Sequence, residues 1–156
     1  YSKTFSITGW RIGYSVAEAS WAKAIGAMSD VLYVCAPTPL QYGVAAGIRE
    51  LGPSFYKELA LEHQQKRDRF CGALAKAGLP PAVPQGAYYV LADVSRLPGK
   101  TSRARAMYLL DKTGVAGVPG EAFFEGAEGS RFMRFCMAKT DGDLERASQA
   151  IERFTS

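Results

Sequence analysis

Two cations of different chemistry stand eight residues apart at the head of the chain. They are Lys3 and Arg11, in the segment Tyr-Ser-Lys-Thr-Phe-Ser-Ile-Thr-Gly-Trp-Arg-Ile-Gly-Tyr, residues 1–14. A primary amine is a nucleophile once it has lost its proton, and nearby positive charge or desolvation favours that loss. A guanidinium stays charged and grips two oxygens of an anion at once. Ser2 and Ser6 add hydroxyls, and Gly9 and Gly13 add backbone that can approach a flat group closely. Taken alone, a lysine and an arginine in such a loop are ordinary surface residues.

A second pair of cations, Arg131 and Arg134, stands in Glu-Gly-Ser-Arg-Phe-Met-Arg-Phe-Cys-Met-Ala at 128–138. An arginine on a strand either holds a carboxylate ligand through paired hydrogen bonds or neutralises a local acid. Trp10 and Tyr14 could face a flat ligand, although strand aromatics are usually core, and core packing is expected for Tyr88 and Tyr89. His63 is the only histidine. It sits among Glu, Gln and Lys with no metal-binding partners at useful spacing, so no metal is expected.

The elements that must position these groups follow from periodicity and breakers. Residues 1–9 read as a loop and 10–16 as a strand. A helix is expected over 17–32, with Ala22, Ile25, Met28 and Leu32 on one face. Pro37 and Pro39 break it, and a short helix follows over 40–50. Ser54 is expected to cap a long helix reaching Ala77, with Phe55, Leu59, Phe70, Leu74 and Ala77 on its apolar face. Lys66, Arg67 and Arg69 would lie on its solvated side. Gly78 with Pro80-Pro81 is a strong stop. Strands are expected over 87–93, 115–118 and 131–138, and a helix over 102–112. Thr140 should cap a last helix bearing Leu144, Ala147, Ile151 and Phe154 inward.

The 156 residues, 47% hydrophobic and 22% charged, suit a globular chain with a real core. The net charge of +4 is scattered and not gathered into a basic face, which argues against a nucleic-acid partner. No apolar run is long enough for a membrane span. Cys35, Cys71 and Cys136 are far apart, odd in number and flanked by apolar residues; they read as core thiols in a reducing, cytoplasmic setting. The chain opens on Tyr-Ser-Lys in the middle of a motif, which reads as a fragment of a longer protein.

Residues 1–14 closely resemble the cofactor-lysine signature of class I/II aminotransferases, including its Thr-Gly-Trp-Arg-Ile-Gly-Tyr string. Gly-Val-Pro-Gly-Glu-Ala-Phe-Phe at 117–124, followed by the arginine-bearing block at 128–138, resembles the carboxy-terminal block of the same family. Pro-Gln-Gly-Ala-Tyr-Tyr-Val-Leu-Ala-Asp at 84–93 is similar to the strand after the long helix, in wording closest to the kynurenine- and methionine-type branch.

The resemblance implies an α/β pyridoxal-phosphate transferase of fold type I. Residues 1–53 would be the end of the large cofactor-binding domain and 54–156 the small α+β domain. Lys3 would form the Schiff base with pyridoxal 5'-phosphate and serve as catalytic base. Arg11 and Ser2 would hold the cofactor with it, and Arg134 would bind the substrate α-carboxylate. The implied reaction moves an amino group from an amino acid to a 2-oxo acid in amino-acid metabolism, by a cytoplasmic homodimer. By itself the chain would bind the cofactor weakly or not at all and be inactive. Two alternatives stay open on these motifs: a cofactor-dependent C–S β-lyase, and the aminotransferase-like sensing domain of a transcription regulator; the intact Lys3, Arg11 and Arg134 argue against a third, a degenerate domain kept for dimerisation.

Overall fold

The computed structural model describes residues 1–154. They divide into two compact units, Tyr1–Tyr56 and the residues from Lys57 onward.

The first unit opens with a turn-rich loop and a single 3-10 turn, Thr8–Trp10. Residues 11–18 then run without regular structure, so the expected strand over 10–16 does not form. A strand exists only through a ladder, and among the described residues none pairs with this segment. Helix α1 spans Ala19–Leu32 and α2 spans Thr38–Glu50. Pro39 lies in the first turn of α2, where its missing N–H costs nothing. Val44 is the buried residue of α2, and Gly43 lets the Trp10 ring close on that helix: a Cβ there would stand 2.7 Å from Trp10 Cζ3. No residue of α1 is buried. Its periodicity builds the helix, yet Ile25, Met28 and Leu32 remain exposed.

Helix α3 spans Pro53–Lys76. Pro53 opens it, so Ser54 lies within the first turn and is not the cap. Its carboxy end is a complete Schellman motif: Gly78 is left-handed (φ 67°), Leu79 N–H donates to Leu74 O at 2.9 Å and Gly78 N–H to Ala75 O at 2.9 Å. Leu74 and Leu79 are both fully buried, which adds the hydrophobic contact typical of that motif. Lys66 is buried rather than solvated. It pairs with Glu62 one turn back and lies 3.9 Å from Asp141, so α3 is tied to the start of the last helix.

Four antiparallel strands follow: β1 (Pro81–Ala82), β2 (Tyr89–Asp93), β3 (Val118–Pro119) and β4 (Phe132–Cys136), in spatial order β1-β2-β4-β3. The expected strand at 115–118 is shortened to Val118–Pro119. Val115 is spent instead on the core, its N–H donating to Thr113 Oγ1 at 3.1 Å. Helix α4 spans Ser102–Thr113, capped by the Thr101 hydroxyl. Helix α5 spans Asp141–Arg153, capped by Thr140, whose hydroxyl accepts from Asp143 N–H at 3.2 Å.

Strand alternation sorts the two sheet faces. Val90 opposes Phe135 and Ala92 opposes Met133, and all four are buried against the core of Phe70, Leu74, Leu109, Leu144 and Ile151. The opposite face therefore carries Tyr89, Leu91 and Asp93 of β2 and Phe132, Arg134 and Cys136 of β4. Among the described residues no helix is long and apolar enough to cross a membrane.

Gly120 is where the sheet edge is sensitive. A Cβ there would overlap the carbonyl oxygens of Gly129 and Phe132, which are backbone and cannot swing aside. Gly120→Ala should cost about 1–3 kcal/mol through overpacking. Chemical denaturation of the variant checks this, and an unchanged midpoint would show that the turn relaxes freely.

Burial also sorts the thiols. Cys71 is buried in the core, and desolvation pushes its thiol up, away from the reactive thiolate. Cys136 is half-buried. Cys35 is exposed, contrary to the expectation of three core thiols, because it sits in the open connection between α1 and α2. Under native conditions maleimide should modify Cys35 first and leave Cys71 untouched until unfolding. Peptide mapping reads the order, and early modification of Cys71 would contradict it.

Candidate active site

The head loop gathers its polar groups around Thr8. Lys3 Nζ donates to Thr8 Oγ1 at 3.3 Å, and Thr8 Oγ1–H donates to Ser2 O at 3.1 Å. Arg11 Nη1 donates to Thr8 O at 3.0 Å. Amine, guanidinium and hydroxyl thus converge on one residue. Two non-glycine residues in the left-handed region, Ser6 and Arg11 (both φ 56°), bend the chain around it. Such conformations cost on the order of 1 kcal/mol or more each and are found at sites where function holds them.

Ser2 takes part through its main-chain carbonyl. Lys3 and Arg11 are exposed, so the guanidinium has donors left for an anion. Tyr14 is exposed as well, its ring stacked on Tyr1 at 5.2 Å. Arg11, Tyr14 and Cys35 line an open concavity of about 560 Å³.

The second unit separates its two strand arginines. Arg131 donates through Nε to Asp93 Oδ2 at 3.0 Å and forms an ion pair with it, across the end of the β2–β4 ladder. Burial pushes the Asp93 carboxyl up, but hydrogen bonds from Ser95 and Arg131 outweigh it and hold the group below its ordinary value. A carboxyl lowered in the folded state stabilises the fold above the ordinary carboxylate range. It loses that contribution as pH falls through the lowered value. Asp93→Asn should cost about 1 kcal/mol at neutral pH, and the difference should vanish in acid. Thermal midpoints against pH test this; a gap that stays constant as the fold is taken from neutral pH into acid would rule it out.

Arg134 has no such acid. It forms no ion pair among the described residues, and its Nε is buried without a hydrogen-bond partner. The guanidinium carbon lies 4.0 Å from the centroid of Tyr89 and 4.2 Å from that of Phe123. Tyr89 is therefore not a core residue; it is 37% exposed and stacks on a cation. Arg134, Tyr89 and Val118 line a cavity of about 640 Å³. Thr8, Tyr89 and Phe123 were not legible as site residues. For the two aromatics the only sequence signal was proximity to the arginine-bearing blocks, because ring and guanidinium meet only through the β2–β4 register and the turn after Gly120.

The model of the family described as aminotransferase class I and II matches residues 1–151. The chain is 32% identical to the kynurenine–oxoglutarate transaminase of Dictyostelium discoideum over 165 residues, covering 93% of the chain and 38% of that protein. It is 32% identical to the LL-diaminopimelate aminotransferase of Nitratidesulfovibrio vulgaris over 152 residues, covering 97% of the chain and 38% of that protein. Among solved structures, an Escherichia coli protein identified as having a methionine aminotransferase function superposes with a TM-score of 0.87 at 29% identity, over 98% of this chain and 40% of that one. The chain belongs to the class I and II aminotransferase family and has the fold of the corresponding part of pyridoxal-phosphate transferases of fold type I. It spans 38% of the length of the two curated relatives just described.

Proposed function

We propose that the protein carrying this chain transfers an amino group from an amino acid to a 2-oxo acid with pyridoxal phosphate as cofactor. The donor set suits that cofactor: an amine for its aldehyde, and a free-edged guanidinium with hydroxyls for its phosphate. Lys3, Arg11 and Ser2 are the residues that would hold it. When bound, the cofactor supplies the electron sink that stabilises negative charge at the substrate Cα.

Everything else falls to the chain. Arg11 anchors the phosphate end. Arg134 fixes the substrate carboxylate through paired N–H···O bonds, which orients the Cα–H. Lys3 then takes the proton from Cα and would deliver it to the carbon on the other side of the amino nitrogen, the work of a general base and acid on one nitrogen. Thr8, within hydrogen-bond reach of the Lys3 amine, restrains the side chain between these tasks.

The observation that carries this reading is the contrast between the two arginines. Arg131 is neutralised by Asp93, whereas Arg134 forms no ion pair among the described residues and keeps a buried, unsatisfied N–H. A cation left in that state calls for an anionic ligand.

A working location in the cytoplasm agrees with the unpaired thiols. A homodimer is the assembly that the family resemblance implies. The test uses the full-length protein with 2-oxoglutarate as acceptor and kynurenine, methionine, LL-diaminopimelate and a cysteine conjugate as donors. Glutamate formed in step with loss of a donor supports transfer. Pyruvate and ammonia without glutamate would replace it with β-elimination.

A further inference from the structure

Arg134 is unusual in what surrounds it. Its guanidinium carbon is within stacking distance of two aromatic rings from different parts of the fold. Tyr89 reaches it diagonally across the β2–β4 ladder: Leu91 opposes Arg134 in register, and Tyr89 stands two residues along. Phe123 reaches it from the turn that follows β3, whose Val118 opposes Arg134 on the other side.

That turn is itself anchored. Glu121 accepts from Ser102 N–H at 3.2 Å, and Glu121 N–H donates to the Ser102 hydroxyl at 3.3 Å. Ser102 is fully buried at the head of α4. Phe123 N–H closes the turn on Gly120 O at 2.8 Å. The start of a helix thereby fixes the place of one ring, and a strand register fixes the other.

A ring centroid about 4 Å from the guanidinium carbon is a cation–π contact, made with the ring's π system and using none of the N–H donors in hydrogen bonds to protein. A long arginine otherwise samples many rotamers, and binding must restrict them at a cost.

We propose that Tyr89 and Phe123 are positioning residues: they hold the Arg134 guanidinium in one plane, so that its N–H edge meets a substrate carboxylate already oriented for two-point binding. This rests on the reading of Arg134 as the carboxylate-binding residue. Both rings are partly exposed, 37% and 44%, so their removal should not unfold the protein.

The experiment uses full-length holoenzyme. KM and kcat are measured for wild type, Tyr89→Leu, Phe123→Leu, Tyr89→Phe and Arg134→Lys. Calorimetry follows binding of 3-phenylpropionate, a carboxylate with no amino or oxo group, and circular dichroism checks folding. Tyr89→Leu and Phe123→Leu should each raise KM for donor and acceptor, and weaken 3-phenylpropionate, by about 3- to 30-fold, the range of a partly desolvated cation–π contact. Turnover at saturation should change less. Tyr89→Phe keeps the ring and should stay within twofold of wild type. Arg134→Lys keeps the charge but loses the planar fork, and should weaken both readouts more than either ring variant.

If Arg134→Lys weakens carboxylate binding while the folded leucine variants do not, positioning by the rings is overturned and the role of Arg134 stands. If Arg134→Lys leaves both readouts unchanged, the underlying reading of Arg134 fails, and the proposal with it. A Tyr89→Phe loss equal to that of Tyr89→Leu would shift the role from the ring to the hydroxyl and overturn the proposal as well.

Discussion

Replacing Lys3 by alanine should lower turnover of the full-length protein by about 10²- to 10⁴-fold, the usual contribution of a positioned proton-transfer group. Lys3 is the primary amine that the head loop brings to Thr8, beside the chain's phosphate-binding candidate, Arg11. Its loss removes both the group that would hold the cofactor aldehyde and the base that would move the Cα proton. The fold should be indifferent, since Lys3 is exposed and its hydrogen bond to Thr8, at 3.3 Å, is a long one. Two measurements go together: initial rates of amino transfer, and borohydride reduction with pyridoxal phosphate followed by peptide mapping. The wild-type chain should carry the label on Lys3, and Lys3→Ala should not shift it in comparable yield to another lysine. Turnover within tenfold of wild type would remove Lys3 from the chemistry.

Arg134→Ala should raise KM for both substrates by about 30- to 1000-fold, the cost of truncating one member of a hydrogen-bonded charge pair. Its cost in stability should be confined to the two ring contacts with Tyr89 and Phe123. Nothing in the described fold neutralises Arg134, and its buried Nε is unsatisfied, so alanine removes a desolvated cation and costs no intramolecular ion pair. Arg131→Ala should do the reverse, because Arg131 is bound to Asp93: a lower melting midpoint with KM unchanged. The pair of variants therefore separates a ligand-binding arginine from a structural one on the same strand. If both lower stability alone, Arg134 is only another structural residue.

Much of this protein was legible before any coordinates. The Gly78 stop after α3 and the Thr140 cap of α5 rest on local chemistry: backbone that tolerates a left-handed turn, and a hydroxyl within reach of free N–H groups. The inward residues of α5 followed from helical spacing. Lys3, Arg11 and Arg134 stood out because their blocks as a whole matched one family.

Other features depended on partners that no local pattern names. Residues 10–16 have strand composition, but a strand needs a neighbour to pair with, and the segment finds none among the described residues. Lys66 looked solvated by its neighbours in sequence, yet it is buried because Glu62 and Asp141 supply its counter-charges. Arg131 and Arg134 are three residues apart on one strand and alike in sequence. Only the β2–β4 register gives one an aspartate and the other an aromatic ring, because a register decides which side chains become neighbours across a ladder. By itself, then, the sequence determined the stop of α3, the cap of α5 and which residue types could hold a cofactor and a carboxylate, since those depend on groups a few bonds apart. The tertiary structure alone decided which of the two strand arginines keeps its charge free for a ligand, since that depends on what the fold places across from it.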